Sequence, residues 1–199
     1  MRKLIVAILA ASLAIALPAA AAESTLAKIK QSGVLKLGYR ENSMPFSFIA
    51  GDSKPRGYSI DLCEIVAKDV ARQLNMPNLQ VRWVPVNSQQ RFTALQSGEV
   101  DLLSRNTTWS LTRDAGLGLH FTGVTYYDGQ GFLVAKKSRV TSAKQLKNAE
   151  ICVQSGTTTE RNLADWFRAQ GVKVKPVVFE KFEPSIKAFF SGRCQAYTT

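Results

Sequence analysis

Between residues 34 and 104 the chain alternates short apolar segments with amphipathic ones, and this alternation leaves few folds open. Val34–Tyr39, Val81–Val86 and the largely apolar Val100–Ser104 have strand length and strand composition. Between the first two, a helix is expected to start at Ser59. Its hydroxyl suits an N-cap, and Asp61 and Glu64 favour the first turn. Cys63, Val66, Ala67, Val70 and Leu74 recur at helical spacing, and Asn75–Asn78, which holds Pro77, ends the pattern. Gln89–Gln96 reads as a second helix, closed by Gly98. The resulting β-α-β-α-β order predicts an α/β fold built on a doubly wound parallel sheet. Ligands of such sheets bind outside the carboxyl ends of the strands, where the strand order reverses. Arg40 follows the first strand; Asn87, Ser88 and Arg91 follow the second; Asn106, Thr108 and Arg113 follow the third. Three strand ends thus direct polar groups at one crevice.

Arg113 lies near the end of the run Asn106-Thr107-Thr108-Trp109-Ser110-Leu111-Thr112-Arg113-Asp114. A guanidinium fork holds a carboxylate through two parallel hydrogen bonds. Hydroxyls and backbone groups beside it suit an ammonium. The run therefore fits the two ends of a free α-amino acid. Taken alone, such an arginine is more often a plain surface residue; the convergence of strand ends is what favours the grip.

The rest of the chain repeats the alternation. Thr25–Gln31 reads as a short helix stopped by Gly33, and residues 40–57 as a loop or hairpin. Val124–Tyr127 and Gly131–Ala135 are strand candidates, and Ser138–Asn148 is a basic, exposed loop-helix. Ile151–Gln154 is a strand followed by Ser155-Gly156-Thr157, where Thr157 and Glu160 have capping-box spacing. The helix they open carries Leu163, Trp166 and Phe167 and ends at Gly171. A glycine turn opening a helix is a ready anion site, although a plain N-cap is the commoner case. Val174–Val178 is a strand, Pro184 opens a helix bearing Ile186, Phe189 and Phe190, and Gln195–Thr199 begins a last strand. The expected division is a first α/β lobe over 23–135 and a partial second lobe over 136–199. A final parallel strand with no covering helix, in a lobe of ~60 residues, is marginal for a core. The expectation is a truncated chain that lacks its return segment and folds poorly alone.

Arg2 and Lys3, the apolar run Leu4–Leu17 and the alanines up to Ala22 read as a signal peptide spanning 1–22. That run is shorter than the ~18 residues of a membrane span. Export to the periplasm follows, and an exported protein can keep a disulfide. Of the three cysteines, Cys152 and Cys194 fall in strand candidates and are the expected pair, while Cys63 sits on a helix stripe as a small hydrophobe. Spacing alone does not fix connectivity. The single histidine, His120, is expected to be structural, and no paired Cys-x-x-Cys spacing suggests a metal or any other cofactor. The net charge of +11 is scattered rather than clustered, which argues for a solvated basic surface and against nucleic acid.

Longer stretches carry a resemblance. They are Arg91-Phe92-Thr93-Ala94-Leu95-Gln96-Ser97-Gly98-Glu99-Val100-Asp101 through Trp109, Tyr126-Tyr127-Asp128-Gly129-Gln130-Gly131-Phe132, Cys152-Val153-Gln154-Ser155-Gly156-Thr157-Thr158-Thr159-Glu160 and Gly192-Arg193-Cys194-Gln195-Ala196-Tyr197. The chain resembles the periplasmic solute-binding proteins of bacterial amino-acid ABC transporters, in particular the general L-amino-acid and glutamate/aspartate binding branch. The resemblance implies a type II two-lobed fold that closes by a hinge on its ligand, acts as a monomer and delivers the ligand to membrane permease subunits. It implies that Arg113 and the backbone near Thr157 hold the α-carboxylate, and that Asn106 and Thr108 contact the amino-acid backbone. Arg40, Ser88 and Arg91 match positions that read an acidic side chain. A ligand such as glutamate, aspartate or an amide of either is therefore expected. So is an absence of catalysis, because the cleft positions hold no general base. The alternatives are a dehydratase-like periplasmic enzyme of the same fold and a sensor ectodomain.

Overall fold

The computed structural model describes residues 23–199; the signal-peptide reading of residues 1–22 lies outside the described residues. Helix α1 (Thr25–Ser32) is fixed at both ends. The Ser24 hydroxyl accepts from the Ala27 N–H at 3.2 Å, and Gly33, in the left-handed region, returns its N–H to the Ile29 carbonyl. It leads into β1 (Val34–Tyr39). The stretch 40–57, expected to be a loop or a hairpin, forms a small three-stranded antiparallel sheet from β2 (Asn42–Ser43), β3 (Ser47–Ile49) and β4 (Pro55–Arg56).

Helix α2 (Tyr58–Gln73) starts earlier than the Ser59 cap implies. Its first N–H groups are satisfied by the preceding loop: Tyr58 donates to the Pro45 carbonyl at 3.0 Å and Ser59 to the Phe46 carbonyl at 2.9 Å. Backbone does what a side-chain cap would otherwise do. Gly57, the residue before the helix, makes this possible with a φ of 118°; a Cβ there would sit 2.5 Å from the Pro45 carbonyl oxygen. We expect Gly57→Ala to lower the unfolding free energy by about 1–3 kcal/mol, read from denaturant unfolding of the full chain. The inward stripe of α2 is Ile60, Cys63, Ala67, Val70 and Leu74; Ile60 and Ala67 are buried, and Cys63, Ala67, Val70 and Leu74 pack over Leu35 and Leu37 of β1 and Ile29 of α1. Val66 falls off the stripe and is 42% exposed.

Strand β5 (Gln80–Pro85) and strand β6 (Leu102–Ser104) flank β1, both parallel to it. The order β5-β1-β6 means the chain adds a strand on one side of β1 and then crosses to the other. The crossing is the point where a doubly wound sheet opens a crevice at its carboxyl end. Helix α3 (Arg91–Gln96) makes the crossing connection, and the short helix α4 (Leu111–Asp114) follows β6.

The second sheet follows the same rule. Its strands are β7 (Phe132–Val134), β8 (Glu150–Gln154), β9 (Lys175–Phe179) and β10 (Ala196–Thr198), in the order β7-β10-β8-β9. β9 and β10 lie parallel on either side of β8, and β7 is antiparallel at the edge. Helices α5 (Thr158–Ala169) and α6 (Phe182–Phe190) cover opposite sides: Leu163 and Phe167 join one core with Ile151, Val153 and Ala196, while Ala188 and Phe189 join another with Cys152, Cys194 and Tyr197. Cys152 and Cys194 form a disulfide, and Cys63 is free and half-buried. Burial pushes the Cys63 thiol above its ordinary pKa, as suits a small hydrophobe rather than a reactive thiolate.

Three expectations shift. Val124–Tyr127 is not a strand: its Tyr126 ring meets Phe46 and Tyr58, and the Tyr58 hydroxyl donates to the Thr125 carbonyl at 2.8 Å. Side-chain contacts, not ladder bonds, hold this stretch. Ser138–Asn148 holds no α-helix but two 3-10 turns border and enter it, Lys136–Ser138 and Ala143–Gln145. Helix α6 starts at Phe182, so Pro184 is its third residue, still within the turn whose N–H groups need no helical partner.

Candidate ligand-binding cleft

The carboxyl ends of both sheets face one another, and side chains from one touch the other. Arg40, just past β1, donates through Nη2 to Oε1 of Gln154, the last residue of β8, at 2.5 Å. Arg91, at the start of α3, donates through Nη2 to the Gly156 carbonyl at 2.9 Å. The hydroxyls of Thr108 and Thr158 lie 3.3 Å apart. Arg40, Arg91 and Thr108 are thus brought to one seam, as the strand-end argument requires, and Thr157 lines the cavity there together with Arg113.

Arg113 is 3% exposed. One Nη donates to the Thr108 carbonyl at 2.8 Å, and its guanidinium lies over the Phe92 ring, 5.0 Å from the centroid. Arg91 lies over the same ring at 4.5 Å. One aromatic side chain therefore orients two guanidiniums through cation–π contact. The other donors of Arg113 take no partner among the described residues. Beside it is a cavity of about 540 Å³, lined by Phe92, Arg113, Gly156, Thr157, Glu160 and Arg161 among others.

The electrostatics are mainly cationic, although Glu183 acts on Arg40 and Glu160 lines the cavity. Arg91, Arg105 and Arg113 are buried and Arg40 is half-buried. Among the described residues none of these four forms an ion pair. Burial lowers the pKa of all four. Neighbouring guanidiniums add to the effect, bringing Arg91 down to about 9 and Arg105 to about 8. Both values remain above neutral pH, so the cluster stays cationic there. Buried positive charge without a counter-ion is costly, and an anion entering the seam relieves it.

On the facing side, Thr157 caps α5: its hydroxyl accepts from the Glu160 N–H at 3.1 Å. Glu160 does not complete the reciprocal half on Thr157 itself; its carboxylate accepts from the Gly156 N–H at 2.9 Å. The Thr157 N–H takes no partner among the described residues and is oriented by the helix start. Ser88 is buried and its hydroxyl accepts from Arg105 Nη2 at 3.2 Å. Asn106 is exposed, and so is His120, further along the chain. Asn87 differs from its expected role: its side-chain oxygen accepts from the N–H groups of Gln89 and Gln90 at 2.9 and 2.8 Å, so it shapes the approach to α3.

Sequence reasoning passed over Gln154, Gln130 and Arg105. Gln130 donates to the Thr159 carbonyl at 3.2 Å and to the Thr198 hydroxyl at 3.0 Å, tying the segment between the sheets to the second sheet. Arg105 stands directly after an apolar strand, which is the one signal that could have drawn attention to it. Among the described residues no group of three His, Cys, Asp or Glu side chains converges as a metal site, and no helix is long and apolar enough to cross a membrane.

A family model for the bacterial extracellular solute-binding proteins, family 3, matches residues 35–195. The chain belongs to this family. Its relatives include the putative amino-acid ABC transporter-binding protein YhdW of Escherichia coli K12, 46% identical over 98% of this chain and 56% of its own length. The general L-amino acid-binding periplasmic protein AapJ of Rhizobium johnstonii is 47% identical over 97% of this chain and 55% of its own. A solved ABC transporter/periplasmic binding protein from Brucella ovis with glutathione bound superposes with a TM-score of 0.80 at 46% identity, over 89% of this chain and 55% of its own. The chain spans little more than half the length of these solute-binding relatives. The paired sheets and facing carboxyl ends are therefore the family's α/β fold as far as this chain carries it.

Proposed function

We propose that this protein binds free amino acids outside the cytoplasm, with glutamate, aspartate or their amides preferred within a range that can be broad, and delivers them to the permease subunits of an ABC transporter. The observation that carries this reading is the convergence of Arg40, Arg91 and Arg113 on one seam with no counter-ion among the described residues. In this reading the two sheets belong to two lobes that close on the ligand, and the boundary expected at residue 135 moves ahead of β7, because β7 pairs with β10 of the second sheet. Arg113 and the Thr157 N–H hold the α-carboxylate, Thr108 and the Asn106 backbone contact the amino-acid backbone, and Arg40, Ser88 and Arg91 face the side chain. No general base stands among them, so the protein binds without catalysis. The names of the relatives support transport: they include a glutamate/glutamine/aspartate/asparagine-binding protein, BztA of Rhodobacter capsulatus, 43% identical over 94% of this chain and 54% of its own length. Periplasmic location rests on the same relatives and on residues 1–22.

A second ligand reading, a small acidic peptide, is favoured by the cavity beside Arg113. Its volume of about 540 Å³ lies within the ~300–1,000 Å³ range of pockets that take drug-sized ligands. The Brucella ovis structure holds glutathione. Calorimetric titration of the full chain with glutamate, glutamine, leucine and glutathione tests both readings. The first expects glutamate to bind at least about ten-fold more tightly than leucine, a difference of about 1.4 kcal/mol. Equal affinity for leucine overturns the acidic preference, and glutathione binding without glutamate binding replaces it with the peptide reading.

A further inference from the structure

We propose that Arg105 is a positioning residue that sets the preference for an acidic over an amide side chain, by clamping the Ser88 segment and holding an uncompensated charge behind the cleft. This inference rests on the amino-acid reading of the site.

Arg105 follows β6, and its acceptors follow β5, the strand on the other side of β1. Its Nη1 donates to the Val86 carbonyl at 2.6 Å and to the Asn87 carbonyl at 3.0 Å, and its Nη2 donates to the Ser88 hydroxyl at 3.2 Å. One side chain thus ties the ends of both outer strands across the central one. The segment it holds, residues 86–88, leads directly into Arg91. The clamp therefore sets where Ser88 and Arg91 stand relative to Arg40, at the end of the cleft proposed to read the ligand's side chain.

A clamp alone needs donors, not a charge. Arg105 is 6% exposed and its Nε is buried with no partner. Among the described residues it has no carboxylate partner. Its charged neighbours are Arg91, Arg40 and Arg113, all of the same sign. Such an arrangement is costly in the empty cleft and is relieved by a negative ligand. Buried charges interact through a lower effective dielectric than water, so Arg105 acts on a ligand it need not touch. The ligand's α-carboxylate is common to glutamate and glutamine. Only the side-chain charge distinguishes them, and that is the term Arg105 alters.

The test compares dissociation constants for glutamate and glutamine in the full chain and in Arg105→Gln and Arg105→Lys. Loss of the clamp loosens the Ser88 segment for both ligands, so it changes their affinities more than their ratio. Loss of the charge weakens glutamate more. We expect Arg105→Gln to shift the glutamate-to-glutamine ratio by about ten-fold toward glutamine, and Arg105→Lys to keep the ratio within about two-fold of the parent. An unchanged ratio in Arg105→Gln overturns the proposal. If Arg105→Gln does not fold, Arg105→Met, which keeps an apolar stem and removes the charge, takes its place: a ratio shifted toward glutamine supports the proposal and an unchanged ratio overturns it. A parent chain that binds neither ligand refutes the amino-acid reading instead, a separate outcome.

Discussion

Replacing Arg113 with alanine is expected to raise the dissociation constant for glutamate at least roughly 30-fold and up to several-thousand-fold, the equivalent of ~2–5 kcal/mol. The size of the effect follows from how the side chain is held. Arg113 is nearly fully buried, its fork is anchored at one arm by the Thr108 carbonyl at 2.8 Å, and its face rests on Phe92. Little rotamer entropy is left to lose when a carboxylate arrives, so the grip is preorganised. Truncation removes two charge-assisted hydrogen bonds and leaves the bound carboxylate desolvated without its partner. Arg113→Lys should fall between the two, because the charge remains while the planar fork is lost. Calorimetry with glutamate measures both variants, with thermal unfolding as a check that each is folded. An alanine variant that binds within three-fold of the parent removes Arg113 from the site.

Arg113 could be singled out in the sequence because it stands in the connection that follows β6, in the short helix α4. Strands of a parallel sheet read as short alternating or apolar runs, and Val34–Tyr39, which alternates, and Val100–Ser104, which is largely apolar, do so. Once their order is read, the residues that follow them fall at one edge. Arg40, Arg91 and Thr108 fall there, and they touch Gln154 at the end of β8, Gly156 in the turn after it and Thr158 at the start of α5. The relatives settle the family without adding to this geometry.

What escaped the sequence escaped for specific reasons. Periodicity reports which face of an element is apolar; it does not say which backbone carbonyl a side chain will find. Arg91 reaches the carbonyl of Gly156, and Arg105 reaches those of Val86 and Asn87, none of which has a side-chain signature. Asn87 shows the converse: a polar residue at a strand end is not thereby a ligand contact, because Asn and Asp side chains readily bond the backbone two or three residues on. Ser59 has the composition of a cap, yet carbonyls from Pro45 and Phe46 had already satisfied the N–H groups of the first turn. Val124–Tyr127 has strand composition, but strand composition describes a surface that fits a sheet, and here the tyrosine fits an aromatic cluster instead.

Cutting the disulfide is expected to lower the thermal midpoint of the full chain by roughly 8–16 °C. The bond joins Cys152, in the central strand β8, to Cys194, just before β10, with a sequence separation of 42. Closing a loop of that length removes about 4 kcal/mol of chain entropy from the unfolded state. At about 2–4 °C per kcal/mol for a chain of this size, the shift in midpoint follows. The loop contains α5, β9 and α6, so the crosslink spans most of the second sheet with its helices. Both sulfurs also lie in a core with Ala188, Phe189 and Tyr197, where Cys152 is fully buried. Serine in its place would bury a hydroxyl and confound the reading, so alanine at both positions isolates the crosslink. Reductant applied to the parent gives an independent measurement, and the two should agree within the cost of the small cavities that alanine leaves. The Gly156 and Thr157 positions proposed to meet the ligand follow the carboxyl end of β8, which keeps its parallel ladder to β9 without the crosslink, so glutamate affinity below the new midpoint should stay near that of the parent. A midpoint that moves by less than about 2 °C, in both the alanine variant and the reduced parent, shows that hydrogen bonding between β8 and β10 holds the second sheet without the bond.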